Sequence, residues 1–386
     1  MARHPLHEVA IVGIHNTKQG RSLAQEGWSS ETLMLEAVRG VLADSGLTRK
    51  DIDGVKANGG SLGGEQLAYL MGINPAYSEG SAGGIPAVLE AAHNIAAGEA
   101  HTVLIAVGQA AAYSERGSTA PWTRPNNEFI ACWGLFTAAE FALVARRHMQ
   151  EFGTTPEALA TVAASIRNKG HINPEAVYYG RGPYTPKDIL ESRMVADPYH
   201  LLDCSMTAEG AAAMIVTTVE RARAMKQKPI YILGGCNETT GTHYRHPPSY
   251  NTVGMVGAGS AKKMFAQAGL APKDVDVCEF YDPFSWEIIR QFEAYGFCGV
   301  GEGGDFVMNG TCDLDGKFPV ETDGGLMSYS HAGSPQLLQR VIEGVVQLRG
   351  SGGANQVKGA KIALSTNFGA GAGHMATMLL GTEPAS

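Results

Sequence analysis

The sequence predicts an α/β protein made of two similar halves. Short apolar runs that are typical of buried strands alternate with amphipathic helical segments, and many of the 49 glycines lie at the boundaries between them. Two pairs of segments also repeat the same order of helix, turn and strand. The predicted strands have the sequences EVAIVGI, HTVLIAVG, AAAMIVTT, PIYILGG, VDVCEFY, KIALSTN and MATMLLG.

The first repeated pair joins a helix end to a strand. DSGLTRKDIDGVKANGG, which begins at Asp44, aligns with QAGLAPKDVDVCEFYDP, which begins at Gln267. Both segments end a helix at Gly-Leu and then enter an extended run, so Gly46 and Gly269 occupy equivalent positions. We expect one half to span residues 1–225 and the other to span residues 226–386.

The second repeated pair joins a small-residue turn to a long helix and an apolar strand. GSAGGIPAVLEAAHNIAAGEAHTVLIAVG aligns with SHAGSPQLLQRVIEGVVQLRG and the strand that follows it, which places Ser81 opposite His331. Both residues should lie at helix N-termini, where free N–H groups favour negative charge on an oxygen. Tyr281, in EFYDPFS, should lie at a strand exit, where α/β sheets commonly build their sites.

Composition and charge narrow the classes of function. A chain of 386 residues with 44% hydrophobic and 18% charged residues is long enough to form two cores. The net charge of -8 and the lack of a basic run argue against partners such as nucleic acid or an anionic membrane. No apolar segment is long enough to span a bilayer, so we expect a cytoplasmic protein.

The six cysteines are scattered and form no C-x-x-C pair. This pattern argues against a disulfide framework and against a zinc site, so buried free thiols and no metal are expected.

The order of these motifs resembles the thiolase superfamily over nearly the whole chain. SAGGIPAV resembles the turn of the nucleophilic cysteine but carries Ser81, and NFGAGAG resembles the second cysteine motif but carries Asn367. GGLMSYSHAG resembles the glycine-histidine turn, with His331 on the histidine, and Tyr281 lies on the first position of YDPFS. The resemblance implies a thiolase-like α/β fold with layered halves, mixed five-stranded sheets and a loop domain over roughly residues 113–200. It also implies a homodimer.

The loss of both cysteines decides which chemistry the resemblance implies. Acyl transfer needs a nucleophile such as a thiolate, and a serine hydroxyl without a base is much weaker. FEAYGFCGVGEGGDFV, at residues 292–307, is similar to the lipid-transfer-protein branch that lacks these cysteines. That branch implies retro-aldol cleavage of β-hydroxyacyl-CoA thioesters from steroid side chains, giving a ketone and a short acyl-CoA such as propionyl-CoA.

Residue roles follow from this resemblance. Tyr281 and Tyr329 divide the acid and base steps in an order that the sequence leaves open, and His331 holds the thioester oxygen. Ser81, Asn367 and the glycine turn with Gly369 and Gly371 complete the oxyanion and substrate-binding site. No cofactor is expected beyond the CoA moiety of the substrate, and a small OB-fold, zinc-ribbon partner protein is implied.

Several other candidate residues have both a functional and a structural interpretation. His243 and His246, in HYRHPPSY, either line the substrate site or lie in a plain surface turn. Four basic residues either meet the CoA phosphates or are simply solvated, namely Arg167, Lys169, Arg181 and Lys187. Two other functions also remain open: an acyl-CoA C-acyltransferase that uses Ser81 or a displaced cysteine, and a non-catalytic lipid or acyl-CoA carrier.

Overall fold

A computed structural model describes residues 4–79, 83–111, 138–240, 253–367 and 374–385. In these ranges a ten-stranded mixed sheet and a separate two-stranded sheet are covered by helices. Within them, no helix combines the length and the apolar character that a bilayer crossing requires.

The strands of the described ranges are β1 (Val9–Asn16), β2 (Gly54–Gly59), β3 (Leu62–Gly63), β4 (Tyr77–Glu79), β5 (Thr102–Gln109), β6 (Met194–Ala196), β7 (Tyr199–His200), β8 (Gly210–Thr218), β9 (Ile230–Thr239), β10 (Val277–Glu279), β11 (Ile362–Asn367) and β12 (His374–Gly381). The α-helices are α1 (Ser30–Ser45), α2 (Gly64–Met71), α3 (Gly84–Ala96), α4 (Ala138–Phe152), α5 (Pro156–Ile172), α6 (Pro186–Glu191), α7 (Val219–Ala222), α8 (Ala258–Ala268), α9 (Ser285–Ala294), α10 (Gly303–Phe306), α11 (Gly325–Ser328) and α12 (Ser334–Arg349). Short 3₁₀ helices span Pro5–Glu8, Leu23–Glu26, Arg49–Asp51, Leu201–Asp203, Val253–Met255, Pro272–Asp274 and Gly353–Asn355.

The sheet repeats one pattern of strands in its two halves. The order β1-β8-β5-β2 in the first half matches β9-β12-β11-β10 in the second half. In both, the last pair is parallel and the others are antiparallel, which confirms the predicted mixed sheets. A fifth position is also shared, because β4 pairs with β2 just as Val320 pairs with Cys278 of β10.

The two halves of the sheet are joined, which the sequence did not indicate. β1 and β9 pair antiparallel at Ala10 and Ile11, so two expected sheets form one continuous hydrogen-bonded ladder. A strand edge that lies inside the molecule must satisfy its N–H and C=O groups, and this pairing does so for both halves.

The first predicted repeat is confirmed for the helix end, the turn and the start of the strand, although β10 is shorter than β2. Helices α1 and α8 end at Gly46 and Gly269, and both glycines adopt the left-handed conformation. Each helix is followed by a short 3₁₀ turn in which an aspartate, Asp51 or Asp274, accepts a backbone N–H three residues earlier. The chain then enters β2 or β10. Local turn chemistry therefore repeats together with the fold.

The helices form layers around the sheet. The long helices α3 and α12 pack on each other and contact strands from both halves, whereas α1 lies against strands of the first half and α8 against strands of the second. The two halves of the sheet thus share a central helical layer, which agrees with the predicted layered, thiolase-like α/β fold. This arrangement brings the first turns of α3 and α12 together near the end of β11.

Candidate active site

Three segments that are distant in sequence meet near the ends of the strands. We call residues 281–284 the strand-exit segment, residues 204–208 the bridging segment and residues 324–331 the glycine turn. The N–H of Ser205 donates to the carbonyl of Pro283 at 2.9 Å, and the N–H of Ala208 donates to the carbonyl of His331 at 3.1 Å. The bridging segment therefore connects the segment of Tyr281 to the turn of His331.

The backbone of Tyr281 is fixed on both sides. Its N–H donates to Thr366 Oγ1 at 2.9 Å, and its carbonyl accepts from Gln291 Nε2 at 2.8 Å. Thr366 Oγ1 in turn donates to Gln291 Oε1 at 2.6 Å, which closes a small network between β11 and α9. The backbone that carries the half-buried Tyr281 side chain is therefore held in place by hydrogen bonds, as expected for a residue that positions a reacting group.

The adjacent Asp282 locks the strand-exit segment to the glycine turn. Its buried carboxylate accepts the N–H groups of Leu326 at 2.9 Å and Met327 at 3.3 Å, which caps the short helix α11. Burial raises the pKa of Asp282 to about 7, while Arg340 and the two N–H groups oppose that shift. A side chain at Gly325, whose φ is +59°, would collide with this carboxylate, so the close approach requires glycine.

His331 is held by the bridging segment. Its Nδ1 lies 3.0 Å from Ser205 Oγ, and the ring is half-buried. Burial lowers the pKa of His331 to about 4, against an opposing hydrogen bond with the Met206 backbone. The imidazole is therefore neutral near pH 7 and suits hydrogen bonding to a developing oxyanion. The sequence around Ser205, DCSMTAEG, carries no motif from which this contact could be inferred.

Among the described residues, the lining of the cavity at Tyr329 does not include His331, and the prediction that both act on one substrate stays a prediction. Tyr329 is 2% exposed and lines a cavity of about 420 Å³ together with Asn16, Glu175 and Glu343. Burial and the negative charge of nearby carboxylates raise its pKa well above the ordinary value, so it is a poor base.

Asn367 was predicted to bind the substrate or its oxyanion, but its side chain is buried and hydrogen-bonded inside the protein. Its Oδ1 accepts the N–H of Ile85 at 2.8 Å, and its Nδ2 donates to the carbonyl of Leu337 at 2.7 Å. The residue is fully buried and clamps the first turn of α3 to that of α12. A Cβ atom at Gly84, whose φ is +49°, would lie 2.5 Å from this Oδ1, so glycine is required there too.

Two of the basic candidates for CoA phosphates are buried instead. Arg167 donates to the carbonyls of Leu202, Cys204 and Met327 at 2.7–3.0 Å, and therefore supports the bridging segment and the glycine turn from behind. Lys169 donates to two backbone carbonyls at 2.6 Å. Helix α5 is packed on most of its circumference, which the sequence pattern did not reveal. Arg181 and Lys187 are exposed, as a phosphate-binding role would require.

An acidic cluster lies behind the glycine turn. Single oxygens of Glu279, Glu321 and Asp323 lie within 4.8 Å of one another, a geometry that can bind a cation. Arg340 is the cation that these carboxylates contact, because its guanidinium pairs with Asp323 at 2.7 Å and also with Glu321. The cluster is therefore an internal ion-pair network that supports the turn.

The remaining predicted site residues lie outside the described ranges, namely Ser81, His243, His246, Gly369 and Gly371. Their roles stay predictions.

Comparison with known proteins shows the family of this chain. Residues 241–382 match the family described as "Thiolase C-terminal domain-like". The chain is 34% identical to a Mycobacterium tuberculosis protein named "17-hydroxy-3-oxo-4-pregnene-20-carboxyl-CoA lyase", over 93% of this chain and 96% of that protein. The chain belongs to the thiolase superfamily.

Two further thiolase-superfamily proteins resemble the chain over nearly its full length. An "Acetyl-CoA acetyltransferase" of Methanothermobacter thermautotrophicus is 32% identical over 94% of this chain and 97% of that protein. A solved structure described as "Ltp2-ChsH2(DUF35) aldolase" superimposes with a TM-score of 0.83 at 29% identity, covering 97% of this chain and 98% of that chain. Relatives of comparable similarity therefore carry the names of two different reactions.

Proposed function

We propose that this protein catalyses retro-aldol cleavage of a β-hydroxyacyl-CoA thioester, on a steroid side chain, to give a ketone and a short acyl-CoA such as propionyl-CoA. The observation that carries the proposal is Asn367. At the position of the second thiolase cysteine it presents an amide that clamps two helices, so no thiol is available there. The names of the lyase relative and of the aldolase structure support the same reaction.

Tyr281 moves a proton in the proposed reaction. In its deprotonated form it takes the proton of the β-hydroxyl group, and the electrons of that O–H bond form the ketone C=O bond. The bond between the α and β carbons breaks, and its electron pair enters the thioester as an enolate. Tyr281 then returns the proton to the α-carbon, so the reaction consumes no other reactant.

His331 stabilises the charge that this step creates. The enolate places negative charge on the thioester oxygen, and a neutral imidazole N–H can donate a hydrogen bond to it. The lowered pKa of His331 keeps the ring neutral across the physiological range. Tyr281 and His331 therefore have separate roles on opposite ends of the bond that breaks.

A location, an oligomeric state and a partner protein are part of the proposal. We propose a cytoplasmic homodimer, as the sequence and its family resemblance imply. We also propose a small OB-fold, zinc-ribbon partner, because the name of the aldolase structure includes a DUF35 protein. No cofactor beyond the CoA moiety of the substrate is needed.

Acyl transfer is the second candidate, and the acetyltransferase relative is the observation that favours it. This reaction would need Ser81 or a displaced thiol as the nucleophile. Cys204 adjoins Ser205, but burial raises the pKa of its thiol to about 12, which leaves almost no thiolate at neutral pH. The structure gives this candidate less support than cleavage.

Product analysis tests the proposal. The protein, co-purified with its DUF35-type partner, is incubated with a steroid acyl-CoA that bears a tertiary β-hydroxyl group, and the products are identified by mass spectrometry. We expect a ring ketone and a shortened acyl-CoA. Acyl exchange between two CoA thioesters would support the transferase instead, and substrate binding with no turnover would support a carrier.

A further inference from the structure

We propose that Glu279 and Glu343 share one buried proton across the hydroxyl group of Thr322, so that the contact between β10 and α12 responds to pH. The observation behind this inference is that one hydroxyl oxygen contacts both carboxyl groups at short distance. The inference does not depend on which reaction the protein catalyses.

The hydrogen atoms at Thr322 are too few for two ionised carboxylates. Thr322 Oγ1 lies 2.6 Å from Oε1 of Glu279 and 2.6 Å from Oε1 of Glu343. A hydroxyl group has one hydrogen to donate, and an ionised carboxylate has none. The second short contact is a hydrogen bond only if the other carboxyl group is protonated and donates to Oγ1. The pair therefore holds one proton while all three groups are in contact.

The cation beside the pair is already shared with other carboxylates. Arg340 Nη1 lies 3.8 Å from Oε2 of Glu279, and the same guanidinium pairs with Glu321 and Asp323. A second negative charge on the pair would be buried without a cation of its own, which is costly. Burial and the charge of Glu343 raise the pKa of Glu279 to about 8, while Arg340 opposes that shift.

The remaining surroundings of the pair do not supply the missing positive charge. Burial raises the pKa of Glu343 against hydrogen bonds from Thr322 and Gln347, which are neutral donors. Other titratable groups act on the pair from each neighbouring element, namely Lys169 of α5, Cys278 of β10, Glu175, Tyr329 of the glycine turn and, through Asp323, Asp282 of the strand-exit segment. Only Lys169 among these is a cation, and its ammonium group donates to two backbone carbonyls.

The shared proton joins two elements that lead to the site. Glu279 ends β10 two residues before Tyr281, and Glu343 lies on α12, which begins shortly after His331. Glu343 also lines the cavity of about 420 Å³ at Tyr329, through which the pair can exchange its proton with solvent. Loss of the proton places negative charge on both sides of one hydroxyl group. The connection between β10 and α12 is therefore strongest when the pair is protonated.

The first test compares the melting temperatures of wild type and Glu343→Gln from pH 5.5 to pH 8.5. The amide keeps the shape and donates an N–H to Thr322, so it replaces the shared proton at every pH. A carboxyl group with a raised pKa stabilises the fold below its ordinary pKa, and this contribution is lost as the pH rises through about 8. Glu343→Gln should therefore gain about 3 °C or more on wild type over this range.

Exposed Glu99 provides the matched control, because Glu99→Gln should keep a constant difference from wild type. Glu279→Gln repeats the test from the other carboxyl group, so the result does not depend on the folding of one variant. A constant difference for both variants would show a contact without a shared proton. A gain of wild type on the variants as the pH rises would show two ionised carboxylates. Either result would overturn the inference.

The second test detects the proton itself by infrared spectroscopy of the full-length protein labelled with ¹³C-glutamate. At pH 7 the spectrum of wild type minus Glu343→Gln should contain one C=O band of a protonated glutamic acid, because either carboxyl group of the pair loses its proton in the variant. The same difference taken with Glu99→Gln should contain no such band. Absence of the band from the first difference spectrum would refute the shared proton.

Discussion

Replacing Asn367 with alanine should destabilise the protein strongly, because this side chain joins the two central helices. The substitution leaves the buried N–H of Ile85 and the carbonyl of Leu337 without their partners. Each buried orphan costs about 1–3 kcal/mol, so we expect a loss of about 4 kcal/mol in the free energy of unfolding. For a chain of 386 residues this corresponds to a fall of about 5 °C in the melting temperature.

Differential scanning calorimetry at equal protein concentration measures this change. Asn237→Ala provides a matched control, because Asn237 is an exposed asparagine on β9 and should shift the melting temperature by less than about 1 °C. Asn367→Asp adds a second comparison, since a carboxylate can still accept from Ile85 but repels the carbonyl of Leu337. A melting temperature for Asn367→Ala equal to that of the control would refute the clamp.

Three further outcomes follow from the site. Tyr329→Phe should change the cleavage rate by less than about threefold, measured at saturating substrate, and a loss of 100-fold would restore its predicted catalytic role. Alkylating reagents should leave activity largely intact, because burial raises the thiol pKa of the cysteines Cys204, Cys278, Cys298 and Cys312; rapid inactivation that tracks one modified cysteine would argue for a thiol mechanism. The lowered pKa of His331 predicts that its contribution to the free energy of unfolding is fully present above about pH 6.5. This contribution falls as the pH drops toward 4, because only the unfolded ring takes up a proton in that range. His331→Gln should therefore lose about 1–2 kcal/mol less than wild type between pH 7 and pH 5 in urea titrations, and equal losses would contradict this assignment.

The sequence predicted the parts of the fold that depend on local chemistry. Gly46 and Gly269 end helices in the left-handed conformation, and each is followed by the same aspartate-capped turn and strand. Such features depend on only a few neighbouring residues, so the same residue pattern is visible in the sequence of both halves. The junction of β1 with β9 has no such local signature, because it depends on how two complete halves meet.

The places of Tyr281 and His331 in the fold were predictable, but their contacts were not. Tyr281 and His331 lie where strand exits and helix N-termini place functional groups. Ser205 is separated from His331 by 126 residues, and Asn367 is separated from Ile85 by 282, so no spacing rule links them. The burial of Tyr329 beside carboxylates depends on tertiary packing that the residue order alone does not fix.

The most direct test of the central claim compares Tyr281→Phe with wild type in single-turnover cleavage of the bound steroid acyl-CoA. Phenylalanine keeps the ring and both backbone contacts of Tyr281 but cannot move a proton. We predict that ketone formation slows by 100-fold or more while the affinity for the substrate changes less than about threefold. Ketone formation within threefold of the wild-type rate, with substrate bound equally well, would contradict the proposed role of Tyr281.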